Sequence, residues 1–300
     1  MEIKRYNKYL DPRYLSKIRK FSLRVKEIVE GFISGLHKSS RFGINVEFRD
    51  HRAYNQGDDL KYIDWRLYAK TDRYYIKRFN EESNLNLNIF LDTSSSMKFK
   101  YSGTLSKMEY SKYITGSLLY LSVIQNDYAG LTLFSNRISK TFTPSKRLVY
   151  INNVLNELEK VKPAGISEFK KTFIYLSEKI KKKSLVIIIS DFLHPVEKII
   201  EGVKFVKSKK NDVILFVIND KVELDFAFKD NIKFIDMEMN DTLTLNPLSI
   251  KEEYLNSITA HYKTLENFAK RSDIDIHYFD TTVNFEEILY NYLLKRSKYV

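Results

Sequence analysis

The chain has 300 residues, 43% of them hydrophobic and 29% charged, with nine glycines and five prolines. That composition excludes disordered and fibrous classes and suffices for one large core or two small ones. It has no cysteine, which rules out disulfide frameworks, thiolate catalysis, Cys-based zinc sites and iron–sulfur clusters and leaves oxygen ligands as the expected metal chemistry. Fifty basic side chains against 38 acidic ones give +12, and the excess is concentrated early: residues 1–83 hold 19 basic against 12 acidic, residues 84–300 hold 31 against 26. Such a surface suits nucleic acid, an acidic leaflet or an acidic protein, although a lysine-rich soluble chain also produces it.

The first thirty residues carry basic side chains throughout and no apolar stretch that reads as a signal-peptide core. The longest wholly aliphatic run, Leu185 to Ile189, is far below a bilayer span. A soluble, cytoplasmic protein with no membrane span is therefore expected. Apolar residues from Leu15 to Leu36 recur at near-helical spacing and predict one long or two shorter amphipathic helices between Pro12 and Lys38. The stretch from Arg41 to Glu82 has no long period, carries turn points at Gly43 and Gly57, and ends in a strand around Tyr74 to Phe79. Residues 1–83 read as a basic N-terminal helical and irregular region.

From residue 84 to 300 strand-like runs alternate with helical patterns, the signature of a sheet covered on both faces by helices. Strands are predicted near Leu85–Leu91, Ala129–Phe134, Ile138–Phe142, Leu185–Ser190, Val213–Ile218, Ile232–Asp236 and Ile274–Phe279. Helices are predicted over Leu105–Ile124 and near 146–160, 168–182, 195–208, 249–271 and 284–296. The short Asn136–Arg137 link predicts a hairpin, and so one antiparallel edge on an otherwise parallel sheet.

Asp92-Thr93-Ser94-Ser95-Ser96 begins where the strand NLNIFL stops, the end of an open α/β sheet at which ligands bind. An aspartate followed by hydroxyls two and four places on can turn three oxygen groups toward one hard divalent cation, Mg²⁺ by default. Ser167, and Asp191 directly after LVIIIS, sit where further strand ends or loops come close, so five groups could converge. The alternative reading is that these residues are helix caps and turn formers.

The pattern D-x-S-x-S with a later loop hydroxyl and a later Asp resembles a von Willebrand factor type A domain and its metal-ion-dependent adhesion site (MIDAS). That resemblance implies a Rossmann-like fold. It also implies direct cation ligation by Ser94 and Ser96, roles through water for Asp92 and Asp191, and Ser167 in place of the usual Thr. A sixth position would remain open for a partner's carboxylate. The run R-x-Y-x-x-G-D-D-x-x-x-I-D-W, formed by Arg52, Tyr54, Gly57, Asp58, Asp59, Ile63, Asp64 and Trp65, with Lys77 beyond it, resembles the family called domain of unknown function 58. Its members are commonly encoded beside MoxR-type AAA+ ATPases, and many carry membrane helices ahead of this signature. The resemblance, over about residues 40 to 280, implies such an ATPase as associate, in chaperone-like assembly or maturation of other proteins. Physically, Gly57 supplies a tight turn, Asp58 and Asp59 cap a short helix, and Asp64 and Trp65 brace the segment against the sheet.

Hydrolase readings lack their chemistry. Ser94 stands where a phosphatase of the haloacid-dehalogenase type needs a second Asp, no phosphate-binding Gly-rich run, G-x-S-x-G or H-E-x-x-H occurs, and the five histidines are scattered. The 21 Tyr and 20 Phe fall mostly on core positions, without RNP-like or helix-turn-helix patterns. The expectation is a non-catalytic, metal-dependent protein-binding module. The alternative is a basic-surface module for nucleic acid or anionic lipid, with no functional metal site.

Overall fold

The computed structural model describes residues 20–38, 48–53, 67–68, 74–79, 85–180, 182–228, 232–235, 242–282 and 284–296. Its centre is a six-stranded sheet built from β3 (Asn86–Asp92), β4 (Tyr128–Phe134), β5 (Ile138–Ser145), β6 (Leu185–Ser190), β7 (Asp212–Asn219) and β10 (Asp275–Asp280). The spatial order is β10-β7-β6-β3-β4-β5, and every pair is parallel except β4 with β5. Numbered along the chain as the sheet's own six strands, this is the doubly wound order 3-2-1-4-5-6. The chain reverses direction across the sheet between β3 and β6, so their carboxyl ends flank the crevice where ligands of such sheets sit. The Rossmann-like sheet with one antiparallel edge is as expected, and the hairpin at Asn136–Arg137 accounts for that edge.

Burial on both faces explains why β6 and β7 read as unbroken apolar runs rather than alternating ones. One face packs against α1 (Phe21–Lys38), α2 (Lys107–Ile124), α3 (Leu148–Lys160) and α8 (Glu286–Arg296). The other packs against α4 (Phe169–Lys179), α5 (Val196–Ser208) and α7 (Pro247–Arg271). A short α6 (Lys221–Asp225) follows β7. Helix α2 buries residues on every side because it lies between the sheet and the other helices of its layer, and so lacks a clear amphipathic stripe. Helix α1 buries Phe21, Val25, Ile28, Val29 and Phe32 in the same core. Its predicted extension back to Pro12 lies outside the described residues.

Two small antiparallel ladders complete the described strands. The first pairs β1 (Phe48–Ala53), in a stretch read as irregular, with β2 (Tyr75–Phe79). Arg52 and Lys77 therefore lie on paired strands, whereas Tyr54, Gly57, Asp58, Asp59, Ile63, Asp64 and Trp65 lie outside the described residues. The second ladder corrects an expectation. Ile232–Ile235 (β8) does not join the main sheet but pairs with Thr242–Leu245 (β9), and β10 takes the place beside β7. A four-residue apolar run looks the same in either setting, and only the tertiary competition for the β7 edge separates them. Helix α4 ends at Lys179, short of the expected 182.

Helix α5 approaches the start of α4 at Gly202, where an added Cβ would lie 2.9 Å from the Phe169 carbonyl oxygen. Gly202→Ala should therefore destabilise the protein by about 1–2 kcal/mol, the cost of overpacking outweighing the better helix propensity of alanine. Urea denaturation measures this, and a more stable variant would show that the two helices can separate without loss.

Candidate metal centre

The rim of the sheet is assembled from loops that lock onto one another through backbone bonds. Thr93 N donates to the Phe134 carbonyl at 2.7 Å, Ala164 N to the Thr93 carbonyl at 2.7 Å, and Ser95 N to the Gly165 carbonyl at 2.8 Å. Gly165 takes φ +80°, the left-handed region open to glycine without strain, and so lets the 163–168 loop fold back over the end of β3. The loop places Ser167 over Asp92.

Asp92 is fully buried, and its carboxylate is the hub. Oδ1 accepts from Ser94 N at 2.8 Å and from Ser167 Oγ at 2.8 Å; Oδ2 accepts from Ser167 Oγ at 2.7 Å and from Ser190 Oγ at 2.7 Å. Burial, followed by the negative charge of Asp191, pushes the Asp92 carboxyl up to about 6, while the bonds from Ser190, Ser167 and Ser94 work against the rise. Ser94 precedes the 3₁₀ turn Ser95–Lys98 without capping it through its side chain; its Oγ instead lies 3.0 Å from Ser96 Oγ. Ser167 is likewise not a cap, since α4 is preceded by Glu168 and the Ser167 hydroxyl is spent on Asp92. Neither serine caps a helix through its side chain, whereas Asp92 and Asp191 do act as turn formers, accepting from Ser94 N and Leu193 N two places on.

Asp191 stands next to this group but is engaged elsewhere. Its Oδ2 accepts from Lys107 Nζ at 2.8 Å and its Oδ1 from Leu193 N at 3.2 Å. Lys107 opens α2 behind the capping box of Ser106 and Glu109, and its side chain is only 1% exposed. The same ammonium contacts Glu223 Oε1 at 2.7 Å. Burial works against the charge of Lys107, but the carboxylates of Asp191 and Glu223 outweigh it and hold the ammonium above its ordinary value, so it is a cation. Glu223 Oε2 in turn accepts from Asp220 N at 2.7 Å, and the Asp220 carboxylate holds Tyr101 N and Ser102 N. A polar network thus links the start of α2 to the carboxyl ends of β6 and β7, with the Asp92 group beside it.

The structure brings four of the five expected residues, Asp92, Ser94, Ser96 and Ser167, into one hydrogen-bonded group, with Asp191 beside it and turned to Lys107. Sequence reasoning missed Ser190, Lys107 and Glu223. Ser190 could have been found, because it adjoins Asp191 at the same strand end; the lysine could not, because nothing local marks it as buried.

The donor set fits a hard cation on chemical grounds. Ligands in adjacent octahedral positions around Mg²⁺ lie about 2.9 Å apart, close to the spacing of the Ser94 and Ser96 hydroxyls, and Ser96 reaches the surface. Lys107 contacts the carboxylates of Asp191 and Glu223, and Asp92 lies close enough to Asp191 to feel its charge, so acids outnumber the ammonium beside those hydroxyls. Among the described residues no three His, Cys, Asp or Glu side chains gather as a metal-ligating group, so a cation here would depend on the serines.

Fold and rim together define a doubly wound α/β module with a cluster of oxygen groups at its topological switch point. The chain belongs to the family described as protein of unknown function DUF58, whose model matches residues 50–264. It is similar to an uncharacterized protein of Mycobacterium tuberculosis, 23% identical over 190 residues. That match covers 62% of this chain and 59% of the relative, so it spans about three fifths of the relative's length. Among solved structures it is similar to the conserved hypothetical protein BatB from Bacteroides thetaiotaomicron, with a TM-score of 0.48 and 14% identity over 71% of this chain and 99% of that one. It is also similar to the SpRpn10 VWA domain, with a TM-score of 0.41 and 13% identity over 69% and 94% of the two chains. No described helix is long and apolar enough to cross a membrane.

Proposed function

We propose that this protein is a non-catalytic interaction module that holds a divalent cation, Mg²⁺ by default, at the rim of its sheet and uses it to grip an acidic side chain of a protein partner. Ser94 and Ser96 would hold the ion directly, with Asp92 and Asp191 acting through water and Ser167 fixing the Asp92 carboxylate. When bound, the ion supplies an open coordination position for a partner's carboxylate. The chain's own part is to keep the two hydroxyls side by side, to hold Asp92 ionised by hydrogen bonds, and to surround them with negative charge. The observation that carries this reading is the meeting of Asp92, Ser94 and Ser96, from the end of β3 and its turn, with Ser167 from a second loop, where the chain reverses across the sheet.

Two exposed apolar side chains, Ile166 and Leu193, lie next in sequence to Ser167 and two places beyond Asp191, which suits a protein contact beside the ion. The family resemblance points to a MoxR-type AAA+ ATPase as associate, in chaperone-like assembly or maturation of other proteins. Mn²⁺ titration followed by electron paramagnetic resonance, paired with capture of that ATPase in Mg²⁺ and in chelator, tests the proposal. Ser94→Ala is expected to weaken Mn²⁺ binding by about 10-fold or more, on the order of one lost direct ligand, and to abolish chelator-sensitive capture. Capture that ignores both chelator and the substitution would refute it.

A further inference from the structure

A cleft of about 600 Å³ opens beside the candidate centre, between the β4–β5 hairpin and the end of α3. Its inner wall includes Thr93 and Gly165, from the loops that carry Ser94 and Ser167. Its outer wall is basic: Arg137, Lys140, Lys160 and Lys162 all line it and all are exposed. The only acid among the described lining residues is Glu157, which Lys140 and Lys160 share at 2.5 and 2.8 Å. Those two ammonium groups, bonding to its carboxylate and attracting its charge, pull Glu157 down to about 2. Four cations against one carboxylate leave the cleft strongly positive, while the adjoining rim is negative. The Glu157 pairs occupy Lys140 and Lys160, which leaves the charges of the exposed Arg137 and Lys162 unmatched by any acid among the described lining residues.

We infer that the cleft binds an acidic, extended peptide segment of the protein partner, leading from the candidate cation centre outward along Arg137 and Lys162. The inference deepens the interaction reading above and rests on it for the nature of the partner. Charge complementarity selects the occupant: a segment with several Asp or Glu residues would neutralise the wall, and a carboxylate at its inner end would reach the rim. The described lining residues include no aromatic side chain, the stacking surface on which single-stranded nucleic acid relies. Arg137 and Lys162 carry the directional role because neither is tied to Glu157, whose pairing with Lys140 and Lys160 holds the wall together.

The test uses the full chain and a fluorescein-labelled decapeptide of alternating Glu and Ser, with its Gln–Ser counterpart as control, followed by fluorescence anisotropy in Mg²⁺ and in EDTA. The double substitution Arg137→Glu with Lys162→Glu should weaken binding of the acidic peptide by about 10-fold or more in both buffers, as expected for reversed charges at a complementary rim. Arg137→Lys with Lys162→Arg should retain it, and the Gln–Ser peptide should bind weakly throughout. Ser94→Ala should remove only the increment that Mg²⁺ adds. Loss of that increment alone would therefore concern the cation, and loss in EDTA would concern the cleft. Equal binding by the charge-reversed protein overturns the inference. So does tighter, cleft-dependent binding of a single-stranded oligothymidine or of phosphatidylserine vesicles than of the peptide.

Discussion

Lys107→Met should cost about 3–5 kcal/mol of folding free energy, the range for removing one partner from a buried ionic group. The substitution keeps most of the side-chain volume and removes only the ammonium. It leaves Asp191 with the single bond from Leu193 N and Glu223 with the single bond from Asp220 N, both in a setting where the lysine side chain is 1% exposed. An uncompensated buried carboxylate loses its hydration without gaining a counter-charge, so the penalty exceeds the modest worth of an ordinary surface pair. Urea denaturation of wild type and variant gives the difference. Converting the partners as well, in Lys107→Met with Asp191→Asn and Glu223→Gln, should recover most of the loss, because neither former partner of the ammonium then carries an unpaired charge. A Lys107→Met protein within 1 kcal/mol of wild type would mean that water reaches the carboxylates freely and that the ammonium is not structural.

Asp220→Ala is the second large effect, at about 2–4 kcal/mol, from several backbone donors losing one acceptor at once. The Asp220 carboxylate accepts from Tyr101 N at 2.7 Å, from Ser102 N at 2.9 Å and from Val222 N at 3.1 Å. It thereby caps α6 and anchors the loop between the 3₁₀ turn and α2. Burial raises its carboxyl, but the hydrogen bonds from Ser102, Tyr101 and Val222 prevail and hold it below the ordinary value of 3.8. A group lowered in this way contributes its full stability above the unfolded value and loses it as pH falls through the folded one. The gap between wild type and Asp220→Ala should therefore be widest above pH 3.8 and close as the solution is made more acidic. A gap that does not change with pH would assign the loss to packing rather than to the ionised acceptor.

How far the site could be read beforehand differs residue by residue. Asp92, Ser94 and Ser96 are one short motif after an apolar strand, and their two-residue spacing already places their oxygens on one side of a turning loop. Ser167 and Asp191 were found only as oxygen donors near other strand ends. Ser167 proved to bind Asp92 through both carboxylate oxygens, whereas Asp191 proved to be held by a lysine 84 positions away. Lys107 is a first-turn residue behind the capping box of Ser106 and Glu109, and nothing in its local sequence marks it as buried. The Ile232 run shows the same limit in the fold. Its apolar residues mark a strand, but not which edge it joins.

The order of strands and helices, the parallel texture of the sheet and the hairpin edge are written in the chain because each depends on periodicity and turn chemistry within a few residues. The partners of Asp92 and Asp191, the burial of Lys107 and the gathering of four cations around one cleft depend on groups distant in sequence. Coulomb energy and desolvation are set by distance in space, which the chain acquires only when β3, β6 and β7 lie side by side.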